Sequence, residues 1–309
     1  MSLHAVIAGS SGFLGTHLSS ALVDRGHRVT ALVRRRADGP HEAQWDPEAG
    51  APAAALPLDL IAGADVVINL AGSPLIGNPH SARWREELRS SRIRTTRLLA
   101  EAISQAGQEG GRLPAFLAGN GISWYGDHGD QPLTEVSDSR GHALLTEVCR
   151  DWQLAATPAV EAGARVCWLR TAPVMDRQNP PLAQLRLLAR AGLSARLGNG
   201  QQVMPMISLR DWVGAVVFAA EHDSLAGAVN LAAPRLPTNA EFTSALARQV
   251  HRPAFLFAPG AALKVAAGPM APELLGSVNA RPAALEQAGY LFLDPGVEEI
   301  LRSGLSARS

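Results

Sequence analysis

The sequence predicts an α/β fold: a doubly wound parallel sheet with a smaller α+β lobe towards the C-terminus. In the first half, short runs rich in β-formers alternate with longer helical patterns, which is typical of βαβ units. The short runs are apolar almost throughout, as expected for strands buried on both faces. A glycine-rich turn joins the first run to the first helical pattern, an arrangement that favours a doubly wound sheet.

The first half contains five predicted strands and three predicted helices. The strands are Ala5–Ala8, Val29–Val33, Val66–Leu70, Ala115–Ala118 and Val166–Leu169, and the helices are Phe13–Arg25, Arg83–Ala106 and Leu144–Ala162. Gly26 and Gly163 follow the first and third helices, where a C′ glycine ends a helix.

Beyond Arg170 the pattern becomes less regular. We predict helices at Leu182–Ala191 and Arg210–His222 and a short strand at Val229–Leu231. From Pro234 onward, short helical patterns are separated by proline and glycine, and the alanine- and proline-rich stretch Gly50–Leu56 is expected to be a surface loop.

Charge and hydropathy exclude several classes of protein. The 309 residues include 28 basic and 28 acidic side chains, so there is no electrostatic case for a nucleic-acid partner or an anionic membrane. No apolar run reaches the roughly 18 residues that span a bilayer, and the chain passes directly into its first strand without a leader pattern. We therefore expect a cytoplasmic protein. The spacing of histidines and cysteines predicts no metal site.

The turn after the first strand has the composition of a phosphate-binding loop. It reads Gly9, Ser10, Ser11, Gly12, Phe13, Leu14, Gly15. Gly9 allows a tight turn, Gly12 lets the backbone approach a pyrophosphate, and Gly15 permits close contact between helix and strand. Because the positive end of the helix dipole faces the same point, we predict a Rossmann-type dinucleotide site.

The end of the second strand indicates which dinucleotide binds. An acidic residue there would hold the ribose 2′-hydroxyl of NAD, whereas this chain has Arg34, followed by two further arginines. A guanidinium suits the 2′-phosphate of NADP, so NADP is the predicted cofactor. The alternative is a basic surface turn.

These motifs divide the chain into two functional parts. Residues 1–171 are assigned to an NAD(P)-binding Rossmann domain, to which residues 207–231 return. Residues 172–309 are assigned mostly to a substrate-side lobe and C-terminal domain.

Several segments resemble the atypical extended short-chain dehydrogenase/reductases. These proteins are known as epimerase family, or nucleoside-diphosphate-sugar epimerase-like, proteins with a C-terminal domain of unknown function. The segments that carry the resemblance include Gly9–Gly15, Arg34, Ile68–Gly72, Ser91-Arg92, Trp124–Asp127, Leu169–Thr171, Gly198–Gly200 and Arg281-Pro282. The resemblance covers nearly the whole chain.

The resemblance implies further residues around the cofactor. Leu70 and Ala71 would line it at the end of the strand Val66–Leu70, and Glu87 and Arg92 would lie near it on the following helix. Val174 would lie near the nicotinamide. In the alternative interpretation Leu70 and Ala71 merely end a strand, and Glu87 and Arg92 are solvated charges on a helix face.

The usual catalytic pair of the superfamily is missing. Its members use a tyrosine as acid or base with a lysine four residues later. Here the tyrosines are Tyr125 and Tyr290 and the single lysine is Lys264, so no such pair exists. Further departures, such as Met206-Ile207-Ser208 in place of a Trp-Ile-His segment, also fall around the expected substrate cleft.

Two residues after the strand Ala115–Ala118 are the candidates to replace that pair. Loops at the carboxyl ends of parallel strands face the ligand in open α/β sheets. Tyr125 is therefore our candidate proton donor, and Asn120, which stands where serine or threonine is usual, our candidate anchor for a substrate oxygen. Packing of Tyr125 onto the sheet is the alternative, and Glu135 is a weaker candidate.

Two functions remain compatible with the sequence. One is an NADP-dependent oxidoreductase or epimerase acting on an unknown small carbonyl or sugar-like substrate. The other is a catalytically inactive NADP(H)-binding sensor or regulatory protein. Two-fold dimers are common among such folds, so a homodimer is possible under either function.

Overall fold

The computed structural model describes residues 2–108 and 112–306. Its strands are β1 (His4–Ala8), β2 (Arg28–Val33), β3 (Glu42–Gln44), β4 (Val66–Asn69), β5 (Ala115–Gly121), β6 (Pro132–Leu133), β7 (Val166–Thr171), β8 (Val174–Met175), β9 (Ala195–Leu197), β10 (Ile207–Ser208), β11 (Gly227–Leu231), β12 (Leu256–Ala258) and β13 (Asn279–Ala280).

The helices alternate with these strands along the first half of the chain and dominate the second. They are α1 (Phe13–Asp24), α2 (Pro52–Ala55), α3 (Leu58–Ala62), α4 (Ala82–Gln108), α5 (Leu144–Leu154), α6 (Thr157–Glu161), α7 (Pro180–Arg190), α8 (Leu209–Glu221), α9 (Asn239–Gln249), α10 (Gly260–Ala267), α11 (Ala271–Leu275), α12 (Ala283–Gln287) and α13 (Val297–Leu305). Ile122–Tyr125 and Gly268–Met270 form 3₁₀ helices.

Seven of the strands form one sheet, in the order β11-β7-β5-β4-β1-β2-β3. Every pairing in it is parallel, so the predicted α/β fold with a doubly wound parallel sheet is confirmed. The chain moves outward from β1 through β2 to β3, then returns to the other side of β1 for β4. Ala8 accordingly pairs with Leu32 on one side and with Asn69 on the other. Such a reversal opens a crevice at the carboxyl ends of the strands, where ligands bind.

Side-chain alternation along β1 divides the core into two layers. Ala5 and Ile7 belong to a buried cluster that includes residues of α1 and α8. Val6 and Ala8 belong to a second cluster that includes residues of α3 and α4. Because successive side chains of a strand point to opposite faces, the sheet is covered by helices on both sides.

The second half of the chain is tied to the first in several places. β11 forms the edge of the large sheet beside β7, and α8 packs against α1. β13 pairs with β6, in the segment that follows β5. No helix in the described residues is long and apolar enough to cross a membrane.

Two of the sequence predictions for helices and loops need correction. The helix predicted over Leu144–Ala162 is divided into α5 and α6, with Pro158 in the first turn of α6, because proline lacks the amide that would continue the preceding turn. The predicted loop Gly50–Leu56 contains the one-turn helix α2.

Candidate functional site

The glycine loop lies at the carboxyl end of β1 and is held by close backbone contacts. The Gly12 amide donates to the Gly9 carbonyl at 3.1 Å. Gly9 has a φ of +83°, and a Cβ there would lie 2.6 Å from the Leu70 carbonyl carbon. A Cβ at Gly15 would lie 2.2 Å from the Gly9 oxygen. Gly9 and Gly15 are therefore required by the packing of the loop itself.

Gly12 is different, because the protein itself does not require a glycine there. Its φ is −73°, which any residue adopts. A Cβ at this position would meet only the Gly9 oxygen, at 3.4 Å, which is ordinary van der Waals contact. The bare backbone at Gly12 thus faces open space at the mouth of α1, and this space fits the close approach of a ligand.

The start of α1 presents unpaired backbone amides to that space. Among the described residues, no acceptor takes the amides of Ser11, Phe13 or Leu14, and no side chain caps the helix. Ser10 lies beside them, where its carbonyl accepts from Thr16 Oγ1 at 3.2 Å. Free amides at the positive end of a helix dipole bind phosphate. The loop therefore has the shape and the donors for the pyrophosphate of a dinucleotide.

Three consecutive arginines follow β2, and they have different environments. Arg35 is paired with Glu42, with Nη1 2.7 Å from Oε2. This hydrogen bond lowers the pKa of Glu42 and raises that of Arg35. Arg34 and Arg36 are exposed, and in the described part of the chain their side chains make no hydrogen bond or ion pair. Arg34 is thus available for an anion, while Arg35 is already neutralised.

Asn69 shapes the loop after β4, on the other side of β1. Its fully buried side chain donates to Thr96 Oγ1 at 2.8 Å and accepts from the Ala71 amide at 3.0 Å. Leu70 and Ala71 are half-buried, and their backbone lies against Gly9. The sequence analysis placed Leu70 and Ala71 at the cofactor but gave no role to Asn69, which fixes their backbone.

Arg92 and Glu87 of α4 occupy different environments. Arg92 is 8% exposed and donates to the carbonyls of Leu88 and Ser73 at 2.8 and 2.9 Å. Burial lowers the pKa of Arg92. The hydrogen bond to Ser73 means that its guanidinium supports the loop after β4. Glu87 is exposed, and its backbone carbonyl accepts from Ser73 Oγ at 3.2 Å.

Tyr125 lies in the interior beneath the loop that follows β5. It has no exposed surface, and the single proton of its hydroxyl is shared between two acceptors, Asn230 Oδ1 at 2.8 Å and the Thr134 carbonyl oxygen at 3.0 Å. Arg170 Nη1 donates to the same hydroxyl at 2.9 Å. Burial raises the pKa of Tyr125. Proton donation by Tyr125 stays a prediction, and it would require this network to open.

Asn120 and Val174 are also enclosed by protein. Asn120 is 3% exposed; its Nδ2 donates to the Cys149 carbonyl at 3.1 Å and its Oδ1 accepts from the Gly121 amide at 2.7 Å. Val174 is 3% exposed, lies in β8 just beyond the end of β7, and pairs with Ile207. The oxygen-anchoring role of Asn120 and the nicotinamide contact of Val174 stay predictions.

The structure brings together two polar side chains that the sequence analysis missed. Ser123, in the 3₁₀ helix after β5, donates from Oγ to Oε2 of Glu273 at 2.6 Å. Both residues are half-buried. Glu273 lies in α11, 150 residues further along the chain, in a segment with no sequence signal that links it to β5.

Two family models match most of the chain. The model of the NAD dependent epimerase/dehydratase family matches residues 5–232, and a domain of unknown function, DUF1731, matches residues 258–303. An epimerase family protein of Mycobacterium leprae is 39% identical over 296 residues, which cover 96% of this chain and 93% of the relative. Human epimerase family protein SDR39U1 is 30% identical over 305 residues, which cover 97% of this chain and 99% of the relative.

Solved structures share the fold over the whole chain. The crystal structure of human SDR39U1 (isoform 2) with NADPH has a TM-score of 0.85 at 28% identity, and the match covers 98% of this chain and 99% of that one. A UDP-galactose 4-epimerase has a TM-score of 0.69 at 18% identity, covering 98% and 97%, which shows likeness of fold alone. The resemblance inferred from the sequence motifs is confirmed, and the chain belongs to the NAD dependent epimerase/dehydratase family, as an extended short-chain dehydrogenase/reductase with a C-terminal DUF1731 domain.

Proposed function

We propose that this protein binds NADP(H) at the glycine loop and acts as an NADP-dependent oxidoreductase or epimerase on a small carbonyl or sugar-like compound. The observation that carries the proposal is the open face of Gly12, a glycine that the protein's own packing does not require. Unpaired amides at the start of α1 supply the donors for a pyrophosphate.

The arginines after β2 support NADP over NAD. A 2′-phosphate carries negative charge that a free guanidinium can bind, and Arg34 has no competing partner in the described residues. An NAD-specific site would instead place a carboxylate near the ribose, whereas Glu42 of the neighbouring strand β3 is already bound to Arg35. The NADPH present in the structure of the human relative agrees with this preference.

Different residues would bind the phosphates of the cofactor and form the crevice for its reactive end. The glycine loop and Arg34 would hold the phosphates, and the Leu70–Ala71 backbone, fixed by Asn69, would shape the crevice beside β4. When bound, reduced NADP supplies a hydride to a carbonyl carbon. The ends of β5 and β7 border the region where a substrate would lie.

A second candidate function is a non-catalytic NADP(H) sensor. The observation that favours it is the missing tyrosine–lysine pair. The hydroxyl of Tyr125 is enclosed by Asn230, Thr134 and Arg170, and the single lysine, Lys264, lies on α10 far along the chain. Binding of NADPH without turnover of any carbonyl would support this function.

A binding titration tests whether NADP(H) binds at all, and a turnover screen then distinguishes the two functions. We expect NADPH to quench protein fluorescence and to bind about tenfold or more tightly than NADH, a difference of about 1.4 kcal/mol. Absorbance of the reduced cofactor is then followed during a screen of aldehydes, ketones and nucleotide sugars. Equal affinities for the two cofactors would contradict the NADP assignment, and absence of binding would contradict the whole proposal.

Other predictions from the sequence accompany this proposal. They are the division into a cofactor domain over residues 1–171 and a substrate lobe over 172–309, the cytoplasmic location, the homodimer and the lack of a nucleic-acid partner. Gel filtration with light scattering measures the oligomeric state directly.

A further inference from the structure

The contact between Ser123 and Glu273 joins the two halves of the chain at the carboxyl edge of the sheet. Ser123 follows β5 by two residues, in the 3₁₀ helix Ile122–Tyr125. Glu273 belongs to α11 in the DUF1731 region. Nearby, Asp127 Oδ1 accepts from the Ser277 amide at 3.2 Å, which holds the segment after α11 against the same loop. The carboxyl is therefore brought to the end of β5 by a defined set of contacts.

This position corresponds to the reactive end of the proposed cofactor. In the sheet, β4 separates β5 from β1, so the end of β5 lies about 10 Å from the glycine loop at the usual strand spacing. β2, which ends just before Arg34, lies on the opposite side of β1. If Arg34 holds the adenosine ribose, the nicotinamide extends over β4 and β5 towards Ser123.

The environment of Glu273 is unusual for an acidic side chain at a domain contact. Its carboxyl is half-buried, and Ser123 is its only hydrogen-bond or ion-pair partner in the described part of the chain. Burial raises the pKa of Glu273, and in the described residues only the hydrogen bond from Ser123 opposes this shift. The nearby Cys149 thiol has its pKa raised to about 12 by burial and by the Glu273 charge, so it stays protonated. A buried acid without a cationic partner costs stability, which favours a chemical role over a structural one.

We propose that Glu273 and Ser123 are the proton-transferring pair of this enzyme, acting on the oxygen of a small carbonyl or alcohol substrate. This inference rests on the proposed NADP(H) site. Proton transfer, which a tyrosine–lysine pair performs in other members of the superfamily, would here be performed by two residues from opposite halves of the chain. Asn120 and Tyr125 would then shape the loop that carries Ser123.

The step balances as a carbonyl reduction. The carbonyl carbon accepts a hydride from the reduced nicotinamide, which is oxidised by two electrons. The substrate oxygen takes the hydroxyl proton of Ser123, while Ser123 Oγ takes the proton of the Glu273 carboxyl. The O–H bond of Glu273 breaks, an O–H bond forms on the product alcohol, and Glu273 regains a proton from water. Alcohol oxidation follows the same path in reverse.

The first experiment needs no knowledge of the substrate. A water-soluble carbodiimide with glycine methyl ester labels protonated, reachable carboxyls, and peptide mass spectrometry measures the rate at Glu273. We expect NADPH at about ten times its Kd to slow this labelling roughly tenfold, because the bound ring covers the carboxyl. Labelling of the exposed Glu286 of α12 is the control and stays unchanged.

The outcomes distinguish this inference from the proposed function. NADPH binding is measured by fluorescence on the same samples. If NADPH binds and labelling of Glu273 is unaffected, or if Glu273 is never labelled, the inference is wrong while the cofactor assignment stands. If NADPH does not bind, the proposed function fails first.

Variants test the proton transfer itself. Glu273→Gln keeps the shape and a carbonyl acceptor for Ser123 but cannot supply a proton at neutral pH. We expect kcat on any reduced carbonyl from the screen to fall about 10²–10⁴-fold, with NADPH affinity unchanged. The decline of the wild-type rate with rising pH should disappear in the variant, and Glu286→Gln should behave as wild type. Undiminished kcat in Glu273→Gln, or a wild-type protein that reduces none of the carbonyls, would overturn the proposal.

Discussion

Substitution of Gly12 by valine should abolish cofactor binding with little change in the stability of the fold. Gly12 has an extended conformation that valine adopts readily, and its nearest obstacle is the Gly9 oxygen at 3.4 Å from a new Cβ. We therefore expect the free energy of unfolding to change by only about 0.5 kcal/mol. The side chain of valine would enter the open space at the mouth of α1, where a Cβ meets only the Gly9 oxygen within 4 Å.

The loss of binding can be worked out from those amides. A hydrogen bond to a charged group contributes about 1.5–3 kcal/mol. If valine keeps the pyrophosphate from two of the amides at Ser11, Phe13 and Leu14, the loss is about 3–6 kcal/mol, or roughly 10²–10⁴-fold in Kd. NADPH binding by Gly12→Val should thus fall below detection in a fluorescence titration.

Two other glycines provide matched controls. Gly15→Ala places a Cβ 2.2 Å from the Gly9 oxygen, so we expect a loss of about 1–3 kcal/mol of stability from overpacking. Gly50→Ala meets nothing within 4 Å and should leave both properties unchanged. Urea denaturation measures the stability of all three variants. If Gly12→Val binds NADPH like wild type, or unfolds as readily as Gly15→Ala, the reasoning is refuted.

Three further predictions address specificity, packing and pH. Arg34→Asp should weaken NADPH by about 10–100-fold and NADH much less, because the charge-assisted bond to the 2′-phosphate is replaced by repulsion; equal losses in parallel titrations would remove the basis for that contact. Tyr125→Phe should cost about 1–3 kcal/mol in urea denaturation, since Asn230 and Arg170 lose a buried partner; unchanged stability would contradict the network. Burial raises the pKa of Glu273 in the folded state. The contribution of this carboxyl to the free energy of unfolding is therefore complete below its pKa in the unfolded chain, and it is lost as the pH rises through its pKa in the folded protein. Glu273→Gln should therefore gain stability relative to wild type as pH increases, and a pH-independent difference would contradict a buried, unpaired carboxyl.

Local pattern was sufficient for most strands of the sheet and for the conformation of the glycine loop. Strands buried on both faces read as short apolar runs, so β1, β4 and β5 were predicted to within a few residues. The need for glycine at position 15 comes from contacts with Gly9, and the need at position 9 comes from the adjacent end of β4. The spacing of these glycines in the sequence was therefore enough to predict the loop. Arg34 could be proposed for the 2′-phosphate on similar grounds, because the proposal depends only on its position after β2.

The rest depends on contacts between distant parts of the chain. The burial of Tyr125 arises because Asn230 and Arg170 come from β11 and β7, and no local signal separates this outcome from an exposed loop tyrosine. Glu273 reaches Ser123 only through the docking of the C-terminal elements. β3, with three residues, is too short to show an alternating pattern.

The packing of α8 against α1 has a consequence for synthesis of the protein on the ribosome. Leu22 of α1 and Trp212 of α8 belong to the same buried cluster, yet about 190 residues separate them in the chain. At a translation rate of roughly 5–20 residues per second, α8 is synthesised about 10–40 s after α1, and until then the apolar side of α1 is not covered by α8. During that interval the nascent chain exposes the apolar surface of α1. The yield of folded protein in a cell should therefore depend on holdase chaperones that bind such surfaces.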